Sequence, residues 1–268
     1  MRGNPVKIKL AKGESAFGSM FFEFFSPGVP QIAKNAGAEF VLFDMEHAGT
    51  DIGLMKQMFA LCRGLDIVPM VRVPTTQYHF IARMLDLGAM GVMVPMVETK
   101  QQAETIVSCT RYPPLGYRGA AFGVAQDDYQ GGNVKDKIAA IHERTFVICQ
   151  IETATGLKNV DAIAGVDGVD CLWLGHFDLT NFMGIPAEFD HPDYLAAVKK
   201  IVATARKHKC SAGFMAADEK WAKEYVDHGF NIIATGLDSG LLQNAMAKLI
   251  GDMRKQTASK AASVKGRK

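Results

Sequence analysis

The chain of 268 residues has only five cysteines, and none falls in a metal-binding pattern. Cys62, Cys109, Cys149, Cys171 and Cys210 form no CxxC pair, and no histidine stands at a zinc-finger spacing from them. They read as reduced core thiols of a cytoplasmic protein. No charge-free run approaches the length of a membrane span, and the N-terminal MRGNPVKIKLAKGES has no continuous apolar core of a signal peptide. A basic stripe is also missing. The formal charge of +2 includes Lys255, Lys260, Lys265, Arg267 and Lys268 in an acid-free tail, and subtracting those five leaves the remainder at −3. A nucleic-acid partner is therefore not expected. No GxGxxG turn, Walker-type loop or GxSxG elbow occurs.

What is present is apolar residues, 48% of the chain against 22% charged, which rules out global disorder. Three segments share one pattern: NAGAEFVLFD, DLGAMGVMVP and DHGFNIIATG. Gly37, Gly88 and Gly229 read as the residues that stop a helix and turn the chain into a strand. The strand runs lack polar alternation, as expected of parallel strands buried on both faces. Eight are expected, around 17–22, 40–45, 68–72, 91–95, 146–151, 170–175, 211–215 and 231–236. Helices are expected at 51–63, 76–87, 100–110, 154–165, 193–208, 218–228 and 239–254. This alternation predicts an α/β fold of the (β/α)8 TIM-barrel type in one domain, residues 1–254, with 255–268 as a flexible basic tail. An open doubly wound sheet is the competitor, weakened by the strand count and the missing GxGxxG. Residues 111–145, with Pro113, Pro114 and a Gly-rich centre, form a long insertion between strands four and five. Such a segment is expected to be an ordered lid or an inter-subunit contact.

Active sites of such barrels lie at the C-terminal ends of the strands. There the sequence places Asp44, Glu46 and His47 after strand two, Arg72 after strand three, Gln150 and Glu152 after strand five, and His176 and Asp178 after strand six. Glu152 and Asp178 are 26 residues apart, about one βα repeat, which sets them on adjacent strand ends. Two carboxylates without a thiolate suit a hard divalent ion with open positions for substrate. Alternatively each caps the helix that follows, and Asp178 before LTNF could do so. Arg72 at the end of a buried strand needs an anion, either a substrate group or Asp44 or Glu46. His47, with an ordinary pKa of ~6.5, suits proton transfer or a structural hydrogen bond at the loop start. No apolar run contains the lysine that imine chemistry would need.

FDMEHAGTD, VRVP, LDLGAMGVMVPMVETKQQAE, RYPPLGYRG, QIET and GHFDLT, taken together and in this order, resemble the HpcH/HpaI aldolase family over residues 15 to 250. The resemblance implies a metal-dependent class II pyruvate aldolase on a barrel of the phosphoenolpyruvate/pyruvate type. It implies a homohexamer that exchanges a C-terminal helix between subunits. Glu152 and Asp178 would then hold Mg²⁺, Mn²⁺ or Co²⁺. His47 would transfer the proton and Asp86 would orient it, across an interface if need be. Arg72 would bind the pyruvate carbonyl oxygen and Gln150 would line the pyruvate site. The backbone N–H groups of Phe177 and Asp178 would hold the carboxylate. The implied reaction is reversible cleavage of a 4-hydroxy-2-oxo acid to pyruvate, or an analogue such as hydroxypyruvate, and an aldehyde. Oxaloacetate decarboxylation through the same enolate and a non-catalytic keto-acid-binding barrel are the other readings. Many members have GPxDLS where this chain has GHFDLT, so His176 stands in place of Pro, and GAAFGVAQDDYQGG also departs from better-known members. Both changes lie near the aldehyde side.

Overall fold

The computed structural model describes residues 1–265. In chain order its elements are α1 (Pro5–Ala11), β1 (Ala16–Phe21), α2 (Val29–Asn35), β2 (Phe40–Asp44), α3 (Ile52–Cys62), β3 (Val68–Arg72), α4 (Tyr78–Asp86), β4 (Gly91–Val94) and α5 (Lys100–Thr110). There follow α6 (Val134–Arg144), β5 (Phe146–Ile151), α7 (Ala154–Lys158), α8 (Val160–Ala164), β6 (Cys171–Leu174), α9 (His176–Phe182), α10 (Pro192–His208), β7 (Ser211–Ala216), α11 (Glu219–His228), β8 (Ile232–Thr235) and α12 (Asp238–Lys265). The eight strands pair in parallel in sequence order and β8 closes on β1, giving the expected barrel.

Side-chain alternation explains two separate apolar cores. Phe40 and Leu42 of β2, Val68 and Met70 of β3, and Ile148 of β5 fill the barrel interior, with Val6 and Leu10 of α1 packed in the same cluster. Val41, Phe43, Val71, Val147 and Cys149 point outward against the helices. The period of two carries the inward set onward to Asp44, Arg72 and Gln150, which therefore face the mouth of the barrel rather than the helix layer.

Gly37, Gly88 and Gly229 have φ of 94°, 113° and 105°, the left-handed conformation that ends a helix at low steric cost. The 111–145 connection is less open than its length suggested. It holds a short 3₁₀ turn, Ala125–Asp127, and the whole of α6. The helix expected at 154–165 is divided at Asn159 into α7 and α8. The last helix, expected to stop at 254, continues to Lys265, so the backbone from 255 to 265 extends α12. Residues 266–268 of the expected tail lie outside the described residues. No helix among the described residues is long and apolar enough to cross a membrane.

Candidate active site

A cavity of about 220 Å³ opens at the C-terminal ends of the strands. Its lining includes His47, Arg72, Gln150, Phe177 and Asp178, so five of the seven expected site residues meet there. Arg72 is buried and its Nε donates to Asp44 Oδ1 at 2.5 Å, while Nη1 lies 3.1 Å from Glu46 Oε2. The internal ion pair foreseen as an alternative for Arg72 is therefore formed. Its Nη2 is buried and has no partner. The guanidinium also stands over the Phe22 ring at 5.2 Å, which fixes its plane.

Glu152 is 2% exposed. Its Oε1 accepts the Met96 backbone N–H at 2.6 Å and its Oε2 accepts the Gln150 side-chain amide. Met96 takes φ of 55°, an uncommon conformation for a residue with a Cβ, and its N–H is the one Glu152 accepts. Gly175 is required alongside, because a Cβ there would collide with Glu152 Oε2 and Glu152 Cβ. Glu152 does not cap the next helix, since Thr153 does so with its own hydroxyl. Asp178 lies in the first turn of α9, whose N-cap is Gly175 and which has no side-chain cap bond. Capping thus accounts for neither carboxylate.

Burial raises the Glu152 pKa, and the charge of Asp178 adds to it, against the hydrogen bonds from Gln150 and Met96. Burial also pushes Glu46 up to about 7, opposed by Arg72 and reinforced by Glu152, Asp44 and Asp178. Carboxylates that disfavour one another's charge in one mouth fit a cation, which removes that repulsion. Among the described residues no group of three or more His, Cys, Asp or Glu side chains is arranged as a metal cage. The protein contribution would then be two carboxylates, with the other positions open.

The His47 side chain is 59% exposed and its Nε2 lies 3.8 Å from Glu46 Oε2. Its backbone N–H donates to Asp44 Oδ2 at 2.7 Å, which fixes the loop while leaving the ring free of a structural hydrogen bond. Asp86 is not brought to His47 within the chain. It sits at the end of α4 and accepts from Arg118 Nη2 at 2.6 Å. Phe177 is 54% exposed at the cavity edge. The first helical bond of α9 runs from the Leu179 N–H to the Gly175 carbonyl, so the N–H groups of Phe177 and Asp178 precede it.

His176 lies among Phe177, Phe189, Phe214 and Trp221 at centroid distances of 4.6 to 5.6 Å. Burial lowers its pKa to about 4, so the ring is a neutral packing element at neutral pH. Sequence reasoning missed Met96 and Gly175. Met96 acts through its backbone, which leaves no trace in residue type, whereas Gly175 right after an apolar run was a signal of close approach.

The family model described as HpcH/HpaI aldolase/citrate lyase matches residues 19–245. The 5-keto-4-deoxy-D-glucarate aldolase of Shigella boydii is 36% identical over 94% of this chain and 97% of its own length. The hydroxypyruvate/pyruvate aldolase of Cupriavidus necator is 32% identical over 98% of this chain and 97% of its own. Among solved structures, the HpcH/HpaI aldolase of Desulfitobacterium hafniense superposes with a TM-score of 0.88 at 27% identity, covering 93% of this chain and 96% of that one.

Proposed function

Since the chain belongs to the HpcH/HpaI aldolase/citrate lyase family and is a carbon–carbon lyase of the aldolase type, we propose that it is a divalent-metal-dependent enzyme that cleaves 4-hydroxy-2-oxo acids to pyruvate, or hydroxypyruvate, and an aldehyde. The observation that carries this reading is the convergence of unpaired Arg72 Nη2, Glu152 and Asp178 around one mouth. Glu152 and Asp178 would hold Mg²⁺, Mn²⁺ or Co²⁺, which when bound supplies a Lewis acid for the oxygens of the keto acid.

The residues divide the remaining work. Arg72 Nη2 donates to the keto oxygen as negative charge gathers there, and Asp44 and Glu46 keep its other nitrogens in place. The His47 ring, exposed and free of structural bonds, takes the proton of the C4 hydroxyl. The C3–C4 bond breaks, its electron pair passes to the enolate, and the aldehyde leaves. A proton returned to C3 then completes the keto acid. Phe177 and Asp178 N–H groups face the carboxylate end of the substrate. Asp86 would reach His47 from a neighbouring chain. Two features support a homo-oligomer, a hexamer by resemblance. Leu241, Leu242, Met246, Leu249, Ile250 and Met253 of α12 are exposed, and an apolar cavity of about 640 Å³ lies beside α12, lined in part by Phe17, Phe21, Phe24, Phe25 and Ile32.

The test is aldol cleavage by protein stripped with a chelator. Activity should vanish and return on adding Mg²⁺ or Mn²⁺, and His47→Ala should lose at least tenfold in kcat. Full cleavage without metal, or an unchanged His47→Ala rate, would sink the reading.

A further inference from the structure

One buried acid near the mouth bonds to backbone rather than to any group assigned to the reaction. Asp238, the first residue of α12, is only 5% exposed. Its carboxylate accepts four backbone N–H groups. Oδ1 takes those of Phe22 at 3.3 Å and Ser239 at 3.0 Å, and Oδ2 takes those of Glu23 at 3.0 Å and Phe24 at 2.8 Å. Three of the four come from consecutive residues of the loop that leaves the C-terminal end of β1. Successive N–H groups turned onto one ionised acceptor make strong, cooperative bonds. The loop is therefore clamped to the start of α12. Phe22, the first residue of that loop, lines the cavity, and its ring lies under the Arg72 guanidinium at 5.2 Å. Asp44 and Glu46 hold Arg72 through Nε and Nη1, whose bonds lie in the guanidinium plane. The Phe22 ring bears on the face instead, and so sets the tilt at which the unpartnered Nη2 meets the cavity.

We propose that Asp238 is a positioning residue for Arg72. Its carboxylate holds the loop of residues 22–24, the loop holds the Phe22 ring, and the ring sets the plane from which Nη2 donates. This rests on the aldolase reading above, in which Nη2 meets the keto oxygen, and adds a residue that itself touches no substrate. The carboxylate is needed rather than an amide. Asparagine at 238 keeps one acceptor oxygen and turns its own N–H donors toward backbone N–H groups, which strands part of the loop. A tilted guanidinium then loses most where charge gathers on the keto oxygen, in the transition state rather than on binding of the uncharged carbonyl.

The experiment compares the Mg²⁺-loaded enzyme with Asp238→Asn, Phe22→Leu and Arg72→Lys, alone and combined, in aldol cleavage and in calorimetric binding of oxalate, a planar dianion with the shape of an enolate. Asp238→Asn should lower kcat at least tenfold with KM within threefold, and should weaken oxalate at least tenfold. Phe22→Leu keeps the clamp and removes the ring, so it should give the same losses and decides the matter if Asp238→Asn does not fold. In the Arg72→Lys background Asp238→Asn should change kcat less than twofold, because the group it positions is gone. Losses that multiply with those of Arg72→Lys, or a rise in KM at constant kcat, overturn the inference while leaving the aldolase reading intact. Hydrogen exchange at the Phe22, Glu23 and Phe24 amides should quicken at least tenfold in Asp238→Asn, and unchanged exchange also overturns it. If the unsubstituted protein binds oxalate but cleaves no 4-hydroxy-2-oxo acid, the aldolase reading fails and the oxalate affinities decide the clamp. Neither cleavage nor oxalate binding overturns both.

Discussion

The two ends of the barrel both bury charge, and they treat it in opposite ways. Near the N-terminal ends of the strands, three buried or half-buried acids each meet a base. Asp128 pairs with Arg2 at 3.2 Å and Arg144 at 3.3 Å, Asp127 with Lys137 at 2.7 Å, and Asp170 with Lys7 at 2.9 Å. Burial opposes the charged forms of Asp127 and Asp128. The hydrogen bonds and charges around them outweigh it and hold both pKa values below the usual carboxylate range, whereas burial raises Asp170 in spite of Lys7. At the other end one arginine, Arg72, pairs with Asp44 and Glu46 while Glu152 and Asp178 add charge to the same mouth, and both Glu46 and Glu152 are raised. Paired charge ties segments of the chain together. Surplus charge of one sign is what a cation and an anionic substrate would complete.

The contrast is sharpest in a matched pair of substitutions. Glu152→Gln should lower kcat on the order of 10³-fold, about 4 kcal/mol of barrier, while stability to urea holds or rises, because one member of a repelling set is neutralised. Asp128→Asn should do the reverse. It strands Arg144 and Arg2, so unfolding free energy should fall by about 3 kcal/mol, with kcat per folded molecule unchanged. Urea titrations and steady-state rates on both variants decide this. If Asp128→Asn loses activity without losing stability, the division between the two ends is wrong.

Titration gives the next effect. Glu46 has an ordinary pKa of 4.5 and is raised to about 7 in the fold. Between these values the folded protein holds a proton that the unfolded chain has released. Glu46 therefore contributes stability below pH 4.5 that is lost as pH rises to 7, about 3 kcal/mol across the window. In metal-free protein, Glu46→Gln should flatten that fall, measured as unfolding free energy at pH 5 and pH 8. An identical slope in the variant would mean that the carboxylate is not held among surplus negative charge at the mouth. The smallest effect is steric. Gly175→Ala would push Glu152 off its bonds to Met96 and Gln150, and should weaken Mn²⁺ affinity by about tenfold. Unaltered affinity would show that the close backbone approach does not position Glu152.

The barrel was legible because its strands are apolar runs, three of them introduced by a helix-stopping glycine and two, β2 and β3, ending on a charge. β3 and β5 have the bounds read from sequence alone, 68–72 and 146–151. The placing of Arg72 and Gln150 in the mouth was legible for the same reason, since side-chain parity continues along the strand. Three things were not. The pairing of Asp86 with Arg118 was hidden because the two are 32 residues apart, across a connection whose fold depends on tertiary contacts. The neutral packing role of His176 was hidden, because the aromatic shell around it comes from Phe189, Phe214 and Trp221, three separate segments. The extension of α12 to Lys265 was hidden because its residues carry no apolar stripe to mark the helix by period.

The division of labour at the barrel mouth turns on where the cation goes. Mn²⁺ titrated into metal-free protein, followed by calorimetry, should bind once per chain, with binding retained in Asp128→Asn and lost in both Glu152→Gln and Asp178→Asn. Binding that survives both substitutions at the mouth, or that is absent from the unsubstituted protein, would contradict it.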